Sequence, residues 1–79
     1  MGYHSKKINK GILGERSKII EEFNEWLDSC EQNVKLMEFI ELSDLLGAIE
    51  AYLKPHNLSL NDLITMNERT KSAFQDGER

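Results

Sequence analysis

Apolar residues recur at three- and four-residue intervals in three segments of the chain, and this spacing predicts amphipathic helices. The first segment predicts a helix from about Leu13 to Ser29. Its apolar stripe consists of Ile19, Ile20, Phe23, Trp26, Leu27 and Cys30, and its opposite face consists of Glu21, Asn24 and Asp28. Such a pattern is typical of a helix that packs on one side and faces solvent on the other.

The second helix is predicted from about Val34 to Leu53. Asn33 is a suitable N-cap for it, because an Asn side chain can accept a hydrogen bond from a free backbone N–H of the first turn. Pro55 ends the helix, since the residue before a proline is pushed out of helical geometry. The residues before the first helix, 1–11, are predicted to form a polar arm.

The third helix opens at a capping pair, in which Ser59 is followed three residues later by Asp62. It should last until about Phe74, shortly before Gly77. No segment shows the alternation of β-branched and polar residues that predicts a strand. The fold class should therefore be all-α.

The chain has 79 residues, which is enough for one domain, 1–79. A chain of this length buries only about 60% of the surface that its unfolded form exposes. It contains a single cysteine, Cys30, and no cluster of Cys and His at zinc spacing. Without these means of stabilising a small fold, self-association into a homo-oligomer is expected.

Charge is distributed unevenly along the chain. The net charge is −4, but residues 1–18 carry five basic residues against one acid, so the remainder is strongly acidic. An acidic body argues against binding a nucleic acid duplex, which depends on many Lys and Arg contacts. No apolar stretch has the length of a signal peptide or a membrane span, so a cytoplasmic protein without a membrane partner is expected. A polyanionic ligand would need a metal ion here.

Two acids of the second helix lie in an unusual setting. Glu41 and Asp44 project from a side of the helix that is otherwise apolar or small, formed by Met37, Ile40, Ala48 and Ala51. Burying an ionised carboxylate without a partner costs several kcal/mol. A positive group should therefore face this pair.

The first helix carries a second pair at the same spacing, Glu22 and Glu25, on one helix face. Sixteen residues separate Glu25 from Glu41, which leaves room for a short turn between antiparallel helices. The four carboxylates would then converge. Like charges this close resist joint ionisation unless a divalent cation holds them, and hard oxygen ligands favour Mg²⁺ or Mn²⁺ over zinc.

These residues carry a family resemblance. The segments Glu21-Glu22-Phe23-Asn24-Glu25 and Glu41-Leu42-Ser43-Asp44 resemble the E-E-x-x-E and E-x-x-D signature of the MazG-like all-α nucleotide pyrophosphohydrolases. The gap between the two halves also suits that family, and the likeness covers about residues 11–79. The short length is similar to that of compact, phage-type members.

The resemblance implies a three-helix subunit that assembles into a helical-bundle homodimer or tetramer. It implies that Glu22, Glu25, Glu41 and Asp44 bind Mg²⁺, and that Glu21 supports them or, like Glu22, accepts a proton. The expected reaction cleaves a nucleoside triphosphate between its α- and β-phosphates. The family also places phosphate-binding groups in the C-terminal region, where this chain has Asn67, Lys71 and Arg79.

Other interpretations of the same residues remain open. A single E-x-x-E on a helix is usually only a solvated face, and the C-terminal cations would also complement a helix dipole. The chain could instead be a non-catalytic acidic helical protein that binds a protein partner, in which case amide replacement of the acids would be tolerated. A metal-dependent sensor that binds nucleotides without turnover would differ only in releasing no pyrophosphate.

Overall fold

The computed structural model describes residues 6–75, apart from the side chains of residues 72–74. Three α-helices and one short 3₁₀ helix make up this part of the chain, which contains no strand. Helix α1 spans Arg16–Gln32, α2 spans Lys35–Leu53 and α3 spans Leu60–Gln75, with the 3₁₀ helix at Lys54–His56. The predicted all-α class is confirmed. Residues 1–5 of the predicted arm and Gly77 lie outside the described residues.

The turn between α1 and α2 differs from the prediction. Asn33 has a left-handed backbone (φ 61°), and its N–H donates to the Cys30 carbonyl at 3.1 Å. It therefore closes α1, and the predicted N-cap role was wrong because Val34 occupies the N-cap of α2. Asparagine tolerates the left-handed conformation better than most residues, which makes it a common helix C-cap. The resulting two-residue connection makes α1 and α2 antiparallel neighbours.

Helix α1 begins three residues later than predicted. Gly14 has a φ of 97° and Glu15 has an extended backbone, so neither can continue a right-handed helix, and Arg16 is the first helical residue. Glu15 occupies the N-cap without a side-chain capping bond. Leu13 consequently belongs to the segment that leads into the helix.

The end of α2 and the start of α3 follow the sequence prediction. Pro55 lies in the 3₁₀ helix that directly follows α2. The Ser59 N–H donates to Asp62 Oδ2 at 2.8 Å, and the Asp62 N–H donates to Ser59 Oγ at 3.2 Å. This reciprocal capping box satisfies two backbone donors at the start of α3. In the described part of the chain, α3 packs against α2 and not against α1.

The residues before α1 lie along the helix. Lys6 pairs with Glu31 near the end of α1, and Lys10 lies 3.8 Å from Glu21 near its beginning. Residues 6–10 and the α1 residues Asn24 and Asp28 line the same shallow pocket. The basic arm thus covers the acidic side of α1 by complementary charge.

The face of α1 opposite its apolar stripe is partly buried as a result. Asp28 is 1% exposed and Glu21 is 3% exposed. The periodicity showed correctly that these residues share a face, but the arm covers that face. Asp28 accepts a hydrogen bond from Gln32 at 2.8 Å within the helix.

The apolar side chains are mostly exposed in a single chain. Among the described residues, only Ala48 and Leu53 are buried hydrophobic residues, whereas fifteen large hydrophobic side chains are exposed. On α2, the exposed fraction reaches 69% at Leu36 and 64% at Phe39. One chain therefore leaves most of its apolar surface uncovered. No helix in the described range is both long and apolar enough to cross a membrane.

Candidate metal centre

Five carboxylates meet where α1 and α2 face each other. The carboxylate oxygens of Glu22, Glu41 and Asp44 lie within 4.8 Å of one another, and so do those of Glu21, Glu22 and Glu25. Glu22 belongs to both groups, and Glu41 acts on the ionisation of Glu25. The antiparallel packing of α1 and α2 therefore brings together the two acidic pairs that the sequence placed on separate helices.

Burial differs among these acids. Glu41 is fully buried and Glu22 is 6% exposed, whereas Asp44 is exposed and Glu25 is half-buried. Glu22 Oε2 pairs with the Lys18 ammonium, but its buried Oε1 accepts no hydrogen bond from any described residue. A buried anionic oxygen without a donor is unfavourable, because the energy of its lost hydration is not recovered. A cation bound there would recover it.

The crowding of acids changes the ionisation of Glu25. Its pKa is raised to about 7, by burial first, then by the charge of Glu22 and by the neighbouring Glu41. Burial and a nearby negative charge both favour the neutral carboxyl, so the two effects act in the same direction. The metal-free site thus holds Glu25 partly protonated at neutral pH.

Glu21 lies in the opposite electrostatic setting. Its Oε1 accepts hydrogen bonds from the Gly11 N–H at 2.7 Å and from Lys18 Nζ at 3.1 Å. Burial alone would raise the pKa of Glu21, but these two donors outweigh it and hold the pKa below its usual value. Glu21 is therefore a stable anion that ties the arm to α1.

Lys18 is the cation of the site, and the sequence interpretation counted it only as part of the basic N-terminal region. Its ammonium lies 3.1 Å from Glu21 Oε1 and 3.1 Å from Glu22 Oε2. Hydrogen bonds to Glu22 first, and then to Glu21, raise the pKa of Lys18. The signal was present in the sequence, because residues three and four apart face each other on a helix.

Gly11 also contributes to the site and was not predicted. A side chain at this position would meet the Ser17 backbone oxygen at 2.2 Å, so only glycine lets the arm approach α1 closely enough to donate to Glu21. This packing is non-local in sequence. No motif spacing indicated it.

Two of the predicted substrate-binding residues lie on α3. Asn67 lines a groove between α2 and α3, and Lys71 pairs with Glu68 at 3.3 Å on α3. Arg79 lies outside the described residues. Neither Asn67 nor Lys71 lines the cleft beside the carboxylates. Their role in substrate binding stays a prediction.

An open cleft adjoins the carboxylates. It has a volume of about 380 Å³ and is lined by Leu13, Lys18, Glu22, Ser43, Asp44, Gly47 and Ala48. Two members of the acidic group, Glu22 and Asp44, thus contribute to its wall. A ligand in this cleft would contact both the acids and the Lys18 side chain.

Comparison of the chain with known protein families, with curated proteins and with solved structures finds no match.

Proposed function

We propose that this chain is a Mg²⁺-dependent nucleoside triphosphate pyrophosphohydrolase that converts an NTP or dNTP to the monophosphate and pyrophosphate. The observation that carries the proposal is the meeting of Glu22, Glu41 and Asp44 within 4.8 Å, beside a buried Glu22 oxygen that lacks a donor. The order of acids along the chain, E-E-x-x-E followed by E-x-x-D, adds the resemblance to MazG-like enzymes.

The donor set suits Mg²⁺, and Mn²⁺ as its substitute. All the candidate ligands are carboxylate oxygens, which hard divalent cations prefer. Mg²⁺ commonly uses only one or two protein carboxylates and keeps several waters, so four acids are more than one ion needs. The two carboxylate groups share Glu22, and two ions sharing the four acids would account for this number of ligands.

The proposed division of roles follows from the contacts. When bound, Mg²⁺ supplies the positive charge that neutralises phosphate oxygens and acidifies water. Glu22, Glu41, Asp44 and Glu25 would hold it, with the Glu22 oxygen that lacks a donor facing the cation. Glu21 and Glu22 are the two predicted proton acceptors. Glu21 Oε1 already accepts two hydrogen bonds, so Glu21 also holds Lys18 and the arm in place.

We also propose that the chain works as a homodimer or tetramer. Exposed apolar residues on α2, including Leu36 and Phe39, offer a surface that a second copy would cover. In such an assembly the predicted substrate-binding residues Asn67, Lys71 and Arg79 would approach the carboxylates of a neighbouring copy. Neither Asn67 nor Lys71 lines the cleft beside the carboxylates of its own chain.

The test is a panel of the common NTPs and dNTPs incubated with Mg²⁺, with pyrophosphate as the readout. We expect release from at least one nucleotide, none in the presence of chelator, and a loss of activity in Glu41→Gln. Glu50→Gln, at an exposed position of the same helix, is the matched control and should keep activity. Absence of pyrophosphate from every nucleotide in the panel would refute the proposed activity.

The exposed apolar surface also favours a second candidate, a non-catalytic helical protein that binds a protein partner. That function does not need a metal. The variants Glu41→Gln and Asp44→Asn would then leave partner binding intact, and Mg²⁺ would not stabilise the protein. A nucleotide sensor would instead bind both Mg²⁺ and nucleotide without turnover.

A further inference from the structure

We propose that the cleft between Lys18 and Gly47 binds the triphosphate chain of the substrate, and that the Lys18 ammonium donates to a phosphate oxygen there. The inference rests on the proposed function for its metal-bound polyphosphate, but it assigns a phosphate ligand that the resemblance to MazG-like enzymes did not imply. That resemblance implied phosphate-binding residues in the C-terminal region of the chain.

The position of Lys18 supports this role. Its side chain is 27% exposed and lines the cleft, while its ammonium also contacts Glu21 and Glu22. An ammonium group has three N–H donors. Two of them are used by the two glutamates, so one donor remains for an acceptor in the cleft. A phosphate oxygen is the strongest such acceptor, since both partners are charged.

The opposite wall supports the same inference. Gly47 lies three residues after Asp44, which places both on one face of α2. A Cβ added at Gly47 would meet nothing within 4 Å apart from its own helix backbone. Glycine lowers helix stability relative to alanine, so the missing side chain is unfavourable for α2 itself. Its effect is to keep the cleft open beside the acids.

The charges of the site fit a metal-bound polyphosphate better than a free anion. Glu22 and Asp44 line the cleft and would repel an anion that arrives without a cation. With Mg²⁺ held by these acids, the triphosphate chain would bind the metal on one side and Lys18 on the other. Phosphate affinity should therefore require both Mg²⁺ and Lys18.

The experiment uses isothermal titration of the whole chain with inorganic tripolyphosphate in millimolar Mg²⁺, and separately with Mg²⁺ alone. Lys18→Met should weaken tripolyphosphate binding at least about tenfold, the scale of one lost charge-assisted hydrogen bond. Its Mg²⁺ affinity should stay unchanged or increase, because a cation beside Glu22 has been removed. Lys18→Arg should retain most of the binding.

Two further variants complete the comparison. Gly47→Leu should fold normally and bind Mg²⁺ as the wild type does, but it should lose tripolyphosphate binding because the new side chain fills the cleft. Lys54→Met removes a cation from an exposed position of the 3₁₀ helix and should bind like the wild type. Sedimentation of each variant checks that its assembly state is unchanged.

The outcomes separate this inference from the proposed activity. If the wild type binds tripolyphosphate and both Lys18→Met and Gly47→Leu lose this binding, the result supports phosphate binding in the cleft. This holds even if no nucleotide releases pyrophosphate. If Lys18→Met weakens Mg²⁺ binding as much as tripolyphosphate binding, Lys18 only positions Glu22 and the inference is overturned. Unchanged tripolyphosphate affinity in either variant, or no binding by the wild type, also overturns it.

Discussion

Glu41 of α2 raises the pKa of Glu25 of α1 across the antiparallel helix pair. Two ionised carboxylates repel each other, so a proton on one of them relieves the repulsion. Glu41 is fully buried, and Glu25 has a pKa of about 7. In the absence of metal, a proton on Glu25 therefore neutralises part of the negative charge that we propose Mg²⁺ to neutralise.

This proton makes the stability of the metal-free protein depend on pH. The folded pKa of Glu25, about 7, is higher than its ordinary value of 4.5. The native state thus binds more protons than the unfolded state between these values, and its stability falls as the pH rises through this window. Thermal melts in chelator should show a lower melting temperature at pH 7.5 than at pH 5.

Two controls identify the group responsible for this pH dependence. Glu25→Gln should remove most of it, because the amide does not titrate. Saturating Mg²⁺ should raise the melting temperature of the wild type most at pH 7.5, where metal and protons compete least. A metal-free melting temperature that stays constant from pH 5 to pH 7.5 would contradict the raised pKa of Glu25.

Replacing Asp44 separates a metal site from an ordinary acidic surface. Asp44 is exposed, so Asp44→Asn should leave the metal-free stability nearly unchanged or slightly higher. The variant should gain much less stability from Mg²⁺ than the wild type, since it has lost a ligand. Its pyrophosphatase activity on nucleotides should fall at least about a hundredfold, as for loss of one electrostatic stabiliser.

Melts of the wild type, Asp44→Asn and the control Glu50→Gln, each with chelator and with millimolar Mg²⁺, test this prediction. Glu50 is an exposed acid of the same helix outside both carboxylate groups. A loss of stability in Asp44→Asn that is equal with and without Mg²⁺ would indicate a salt bridge and end the metal-site hypothesis.

An oxygen isotope in the solvent water shows which phosphorus atom of the triphosphate is attacked. Ser43 lines the cleft, but no histidine among the lining residues could activate it, and no cysteine lies there. Water is therefore the expected nucleophile at the α-phosphorus, since a metal held by the acids would acidify it. Hydrolysis in ¹⁸O-labelled water should place the label in the nucleoside monophosphate, as mass spectrometry would show. Label in orthophosphate, together with a diphosphate product, would identify a different hydrolase.

Self-association predicts that stability depends on protein concentration. The melting temperature should rise with concentration, and sedimentation at micromolar concentration should show at least a dimer. Phe39→Glu, which places a charge on the exposed α2 surface, should shift the equilibrium toward monomer. Lys54→Gln makes the same change in net charge at another exposed site and should not. A stable wild-type monomer would contradict the proposed assembly.

Local chemistry made parts of this fold predictable. The capping box of Ser59 and Asp62 is defined by two residues three apart, and α3 begins where they place it. Glu41 was expected to be buried because its neighbours on α2 are small or apolar, and it is fully buried. Asp44, on the same side of the helix, is exposed, since it opens onto the cleft.

Other features depend on which segment covers which face, and periodicity does not contain that information. The stripe of α1 was correctly grouped, yet Ile20, Phe23 and Leu27 are exposed while Asp28 is buried. The arm covers part of α1 by pairing its lysines with acids that lie 11 and 25 residues away, Lys10 with Glu21 and Lys6 with Glu31. Asn33 was ambiguous for another reason, because Asn favours both helix N-caps and left-handed C-caps.

The short turn at Asn33 also determines how the carboxylates of the two helices face each other. Glu25 and Glu41 stand eight residues to either side of Asn33, and Glu22 and Asp44 stand eleven to either side. The two acidic pairs thus lie at equal sequence distances from the turn. The short connection lets them meet at the same height along the two helices. One residue inserted after Asn33 could be accommodated within the connection. Otherwise it would rotate α2 by about 100° about its axis and turn Glu41 and Asp44 away from α1. The helices could still pair by their remaining contacts, but the carboxylates would no longer converge. The length of the turn is therefore as much a determinant of the site as the acids themselves.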